Sequence, residues 1–77
     1  MLNISLNNGK NVYVDLQPDD GVNKGGFYAK IFRDNQGREY IDTITIEKEL
    51  VAGMTESMTR TKAIIATNFR VKQLLNK

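Results

Sequence analysis

The stretch GGFYAKIFRDNQGREYI, residues 25–41, decides the fold. On each side of DNQG the residues alternate in type, as an antiparallel hairpin requires. Asp34-Asn35-Gln36-Gly37 has the composition of a type I turn closed by a left-handed glycine, and pairing Asp34 with Arg38 sets the other pairs. Phe32 then meets Tyr40, Lys30 meets Asp42 and Tyr28 meets Ile44, while the second face pairs Ile31 with Ile41, Ala29 with Thr43 and Phe27 with Thr45. That second face is small, β-branched and uncharged, which suits packing under a helix. A Lys–Asp pair in the middle of the first would be costly to bury. Tyr28, Lys30, Phe32, Tyr40 and Asp42 are therefore expected to look away from the core.

Upstream, the same device appears once more. Leu2, Ile4 and Leu6 alternate with Asn3 and Ser5, and Val12, Val14 and Leu16 alternate with Tyr13 and Asp15. A two-residue Asn8-Gly9 loop would mix the two faces. A three-residue loop, Asn7-Asn8-Gly9, with Gly9 left-handed, pairs Leu2 with Val14 and Ile4 with Val12. QPDDGVNKGG, residues 17–26, holds the only proline and three of the six glycines and reads as a loop.

Downstream, a single helix from residue 46 to 76 would run about 46 Å, too long for a domain of this size. Gly53 divides it: EKELVA makes at most a turn or two, and Thr55 is the N-cap of the main helix with Glu56 in its first turn. Met58, Ile65 and Phe69 line one edge of a broad stripe, Ile64, Val71 and Leu75 the other, with Thr61 and Asn68 between. Leu74 falls outside it. The expectation is one small α+β domain, a four-stranded antiparallel meander packed on a C-terminal helix. Strands are expected at about 2–6, 11–16, 27–33 and 39–46, a helical turn at about 47–52, and the helix at about 55–75.

Composition removes most chemistry. The chain has no cysteine and no histidine, so disulfides, thiol nucleophiles and the commonest metal ligand and general base are absent. No catalytic role, cofactor or metal is expected. Asp19-Asp20-Gly21 lacks the spacing and distal glutamate of a calcium loop, and GVNKGG lacks the G-x-x-x-x-G-K-[ST] spacing and the strand-to-helix context of a phosphate loop. KGGFYAKI fails as an RNA-recognition-motif strand because Gly26 stands where an aromatic is required. No run approaches the roughly 20 apolar residues of a membrane span, and the N-terminus has no signal-peptide pattern. A cytoplasmic protein without membrane contact is the expectation.

Charge is uneven. Residues 1–53 carry six Lys/Arg against eight Asp/Glu (−2) and residues 54–77 five against one (+4), which together make the net +2. In a single meander Tyr13, Tyr28, Phe32 and Tyr40 project to one side with Lys30. Aromatic faces stack on unpaired bases while cations hold phosphates. The order of four strands and one helix resembles that of small single-strand-binding modules of the PUR type, an architectural likeness that implies no shared residues.

Two functions follow as expectations. The first is single-stranded nucleic-acid binding, with Tyr13, Tyr28, Phe32 and Tyr40 as stacking platforms and Lys30, Arg33, Arg38, Arg60, Lys62, Arg70 and Lys72 on phosphate. The second is a protein-binding inhibitor or adaptor, of the kind phages and mobile elements encode, that masks a partner's surface. Asp15, Asp34 and Asp42 would repel phosphate and favour the second; the basic tail favours the first. A homodimer is a further expectation, from the thin core of so short a chain and from Leu74.

Overall fold

The computed structural model describes residues 1–76. Its elements are β1 (Leu2–Ser5), β2 (Asn11–Pro18), β3 (Phe27–Phe32), β4 (Tyr40–Ile46), a 3-10 turn at Lys48–Val51 and α1 (Glu56–Leu75). The strands form one antiparallel sheet in the order β1-β2-β3-β4, and α1 packs against it. The fold is α+β.

Both turns are closed by left-handed glycines, Gly9 at φ 79° and Gly37 at φ 74°. At the first, the Leu6 amide donates to the Lys10 carbonyl at 2.8 Å, leaving a three-residue loop, and Leu2 pairs with Val14 and Ile4 with Val12. At the second, the Asp34 carboxylate accepts the amides of Arg38, Glu39 and Gln36 at 2.9, 2.8 and 3.3 Å, and Phe32 pairs with Tyr40. These donors, that of Glu39 first, hold the Asp34 carboxyl below its ordinary range.

Beyond Phe32 the hairpin departs from the expected register. A β-bulge inserts Ile41, so Ile31 pairs with Asp42, Lys30 with Thr43, Ala29 with Ile44, Tyr28 with Thr45 and Phe27 with Ile46. The expected pairs Lys30–Asp42, Tyr28–Ile44, Ala29–Thr43, Phe27–Thr45 and Ile31–Ile41 are corrected. The reason is burial. The bulge turns Ile44 and Ile46 to the helix side with Ile41 also packed on the core, and Ile46 is fully buried. Asp42 moves off the aromatic face with them.

The helix also sits differently from expectation. Ala63, Thr67 and Val71 are its fully buried residues, with Ile64, Leu74 and Leu75 partly buried beside them. Met58, Ile65 and Phe69 are 55, 60 and 56% exposed. At 100° per residue Thr67 stands half a turn from Met58, so one edge of the expected stripe, Met58, Ile65 and Phe69, faces away from the sheet, while the other, Ile64, Val71 and Leu75, packs on the core. Small residues on the inner face let the helix approach the strands closely. Leu74, expected to mark an outside contact, packs on the core.

Three side chains fasten the connections. Thr55 Oγ1 accepts the Met58 amide at 3.4 Å as the N-cap. Asn76 Oδ1 accepts the Asn7 amide at 2.9 Å, tying the helix end to the first turn. Asn23 bridges the end of β4, its Nδ2 donating to the Ile46 carbonyl at 3.1 Å and its Oδ1 accepting the Lys48 amide at 2.9 Å. Buried Gly26 makes room for that bridge: a Cβ there would lie 2.4 Å from the Ile46 carbonyl oxygen and 2.8 Å from the Lys48 nitrogen. Gly26 thus serves packing, while Gly25 beside it takes a left-handed φ of 103°.

Candidate nucleic-acid interface

Strand alternation sends Tyr13, Asp15 and Gln17 to the face of β2 opposite buried Val12, Val14 and Leu16. On β3, Tyr28, Lys30 and Phe32 oppose buried Phe27, Ala29 and Ile31. Cross-strand pairing adds Tyr40, Thr43 and Thr45 from β4 and Asn3 and Ser5 from β1. The chain's α-helix lies on the other side of the sheet.

Pairing brings Tyr13, Phe32 and Tyr40 into one row across three strands, at roughly 4.8 Å per strand. Phe32 and Tyr40 meet edge to face, their centroids 6.0 Å apart. Tyr40 is 58% exposed; Tyr13, Tyr28 and Phe32 are half-buried against their neighbours. The Tyr40 hydroxyl is 2.6 Å from Thr43 Oγ1, which fixes the ring tip. Two strand positions along β3, Lys30 Nζ lies 5.9 Å from the Tyr28 ring centroid. Asp15 sits opposite Lys30 in the register but accepts a hydrogen bond from Gln17 Nε2 at 2.7 Å.

Electrostatics on this face differ from what the sequence implied. Of the three aspartates expected to repel phosphate, Asp42 pairs with Ile31 on the helix side, whereas Asp34, held as a carboxylate by three backbone amides, keeps its charge in the second turn beyond the strands. Asp15 remains, the single carboxylate among the outward positions of the four strands. Where the turn end of the sheet meets the end of α1, a cleft of about 570 Å³ is lined by Tyr13, Arg33, Lys10, Asn8 and Asn11 together with the core-side residues Leu6, Val12 and Ile41 and the helix residue Leu75. Lys10 and Asn11 were not singled out from the sequence. The three-residue loop was the available signal, because it brings Lys10 next to the β2 position that precedes Tyr13.

Arg38 lies in the second turn, where its amide binds Asp34. The helix cations are elsewhere: Arg60, Lys62, Arg70 and Lys72 belong to α1, in the other layer. Arg70 is committed there, donating to the Thr45 carbonyl at 2.6 Å and forming a two-point ion pair with Glu47, at 3.1 and 2.9 Å. That contact lowers the Glu47 pKa. The residues expected to form one site therefore divide into two groups on opposite faces. Tyr13, Tyr28, Lys30, Phe32, Arg33, Arg38 and Tyr40 lie on or around the sheet.

Among the described residues no group of acidic side chains is arranged to hold a metal ion, and no helix is long and apolar enough to cross a membrane. Comparison with family models, with curated proteins and with solved structures finds no match for the chain.

Proposed function

We propose that the protein binds single-stranded nucleic acid across the outward face of its sheet. The observation that carries this reading is the in-register row Tyr13–Phe32–Tyr40 on a face with one strand carboxylate. Each exposed ring offers a base a stacking surface of roughly 1–3 kcal/mol by alanine substitution. Asn3, Ser5, Thr43 and Thr45 beside the rings supply neutral hydrogen-bonding groups. Lys30 beside Tyr28, and Lys10, Arg33 and Arg38 at the turn end of the sheet, are the phosphate contacts in this reading. Arg60, Lys62, Arg70 and Lys72 are released from that role, since they stand on the opposite layer.

Fluorescence anisotropy of labelled single- and double-stranded oligonucleotides at two salt concentrations tests the reading. Four phosphate contacts give a slope of log affinity against log salt near −2.8, at about −0.7 per contact for single strands. The expected result is binding of single strands with a slope between about −2 and −3, and much weaker binding of duplex. Absence of binding at micromolar protein would transfer the aromatic face to a protein partner, the adaptor function.

A further inference from the structure

We propose that the outward face of α1, centred on Ile65 and bounded by Lys62 and Lys72, is a docking site for an acidic amphipathic helix of a partner protein. The site is separate from the sheet face and does not depend on it. Helix α1 carries apolar side chains on both sides, and the sheet uses only the inner one. Met58, Ile65 and Phe69, each more than half exposed, form a line across twelve residues, about 16 Å or three helical turns. Ile65 is shared by two shallow hollows along this line and by a third that runs to Leu2, Asn3 and Ile4 of β1. One, of about 310 Å³, is lined by Met54, Met58, Thr61 and Lys62 among others, and the next, of about 590 Å³, by Phe69 and Lys72 among others.

The width of the line distinguishes between occupants. Met58, Ile65 and Phe69 fall within about 40° of one another around the helix, with Lys62 and Lys72 immediately on either side. A helix lying on a bilayer or on a core presents an apolar arc of 100° or more, whereas a narrow seam suits side-by-side contact with one other helix. Charge then selects the kind of helix. The single carboxylate of α1, Glu56, is about 160° from Met58, so no acid of the helix shares the seam with the two lysines. A second copy paired antiparallel about Ile65 would gather four lysines and no carboxylate of either helix around the contact. A partner with apolar residues at helical spacing flanked by Glu or Asp complements both features.

The test is a selection from a displayed library of random 20-residue peptides against the full chain, with Ile65→Asp as the counter-selecting bait. The expected result is enrichment of peptides with apolar residues at i, i+3 or i+4, and i+7 and an excess of Glu and Asp. A synthetic copy of an enriched peptide should bind at least tenfold more weakly to Ile65→Asp and to Phe69→Asp. Both positions are exposed, so circular dichroism should show the fold intact; Ile65→Ala, which introduces no charge, should weaken binding in the same direction. Lys62→Glu with Lys72→Glu should reverse the preference toward basic peptides. The proposal is overturned by no enrichment, by enrichment without acidic excess, or by enrichment that survives the counter-selection. It is equally overturned if light scattering shows a dimer that Ile65→Asp dissociates, or if phosphatidylserine vesicles but no peptide bind the stripe.

Discussion

Thr67 is fully buried in the middle of α1, and its Oγ1 has no hydrogen-bond partner. A buried hydroxyl without a partner costs roughly 1–3 kcal/mol, whereas an apolar group of the same shape at that point costs nothing of the kind. Thr67→Val replaces the hydroxyl with a methyl, keeps the β-branch and leaves helix propensity nearly unchanged. The neighbours at this level include Ala63 and Val71, also fully buried, so the new methyl enters an apolar layer. Taking the lower part of the range, the substitution should stabilise the fold by about 1–2 kcal/mol. At about 4–8 °C per kcal/mol for a domain of this size, the melting temperature should rise by about 5–15 °C. Thr67→Ser is the companion variant: it keeps the hydroxyl, deletes the methyl and should destabilise by about 1 kcal/mol. Thermal and urea unfolding followed by circular dichroism measure both. A neutral or destabilising Thr67→Val would refute the reasoning, because it would mean that the hydroxyl is satisfied in solution, by the Ala63 carbonyl one turn earlier or by a buried water.

Gly26→Ala should destabilise by about 2–3 kcal/mol in urea melts, since its Cβ collides with backbone atoms of Ile46 and Lys48 that no side-chain rotation can move. Asp34 has a folded pKa below its ordinary 3.8, so the unfolded chain binds the proton more readily; its contribution is fully present above about pH 4 and is lost as pH falls through the folded value. Glu47, lowered by Arg70, acts with the same sign. Asp34→Asn should therefore narrow the stability difference between about pH 6 and about pH 3, read by urea melts at the two values. For binding, Tyr28→Ala and Phe32→Ala should each weaken single-strand affinity by roughly 1–3 kcal/mol, whereas Lys30→Ala should reduce the salt slope by about 0.7. Phe32 also packs on Tyr40, so that variant's melt is measured alongside.

The architecture was legible because each glycine turn forces one register: only a three-residue loop at Gly9 keeps Ile4 and Val12 on one face, and only the Asp34–Gly37 turn sets Phe32 against Tyr40. The bulge was not found by extending that register along β4. Its signal is a phase break, for Ile41 is an odd number of residues from Ile44 and Ile46, and all three cannot reach the core from an unbroken strand. On the helix, Ile64, Val71 and Leu75 were legible as inward, but the centre of the inner face is not, because it is held by Ala63 and Thr67, whose small size carries little weight in a hydrophobic pattern. The aromatic set on the sheet was legible from alternation alone; Lys10 depends on how the first turn folds over the sheet end, and the separation of the helix cations depends on the layer in which α1 lies.

The chain has no tryptophan, and its three tyrosines, Tyr13, Tyr28 and Tyr40, all belong to the outward face of the sheet. Intrinsic tyrosine fluorescence therefore reports on the proposed interface without any label. Titration with an unlabelled single-stranded oligonucleotide, under the conditions in which anisotropy detects binding, reads the contact between bases and rings directly. Saturable quenching of the tyrosine emission, diminished in Tyr28→Ala and relieved by salt, is the predicted result. Binding by anisotropy with the tyrosine emission unchanged would contradict it, since the nucleic acid would then lie away from the aromatic row.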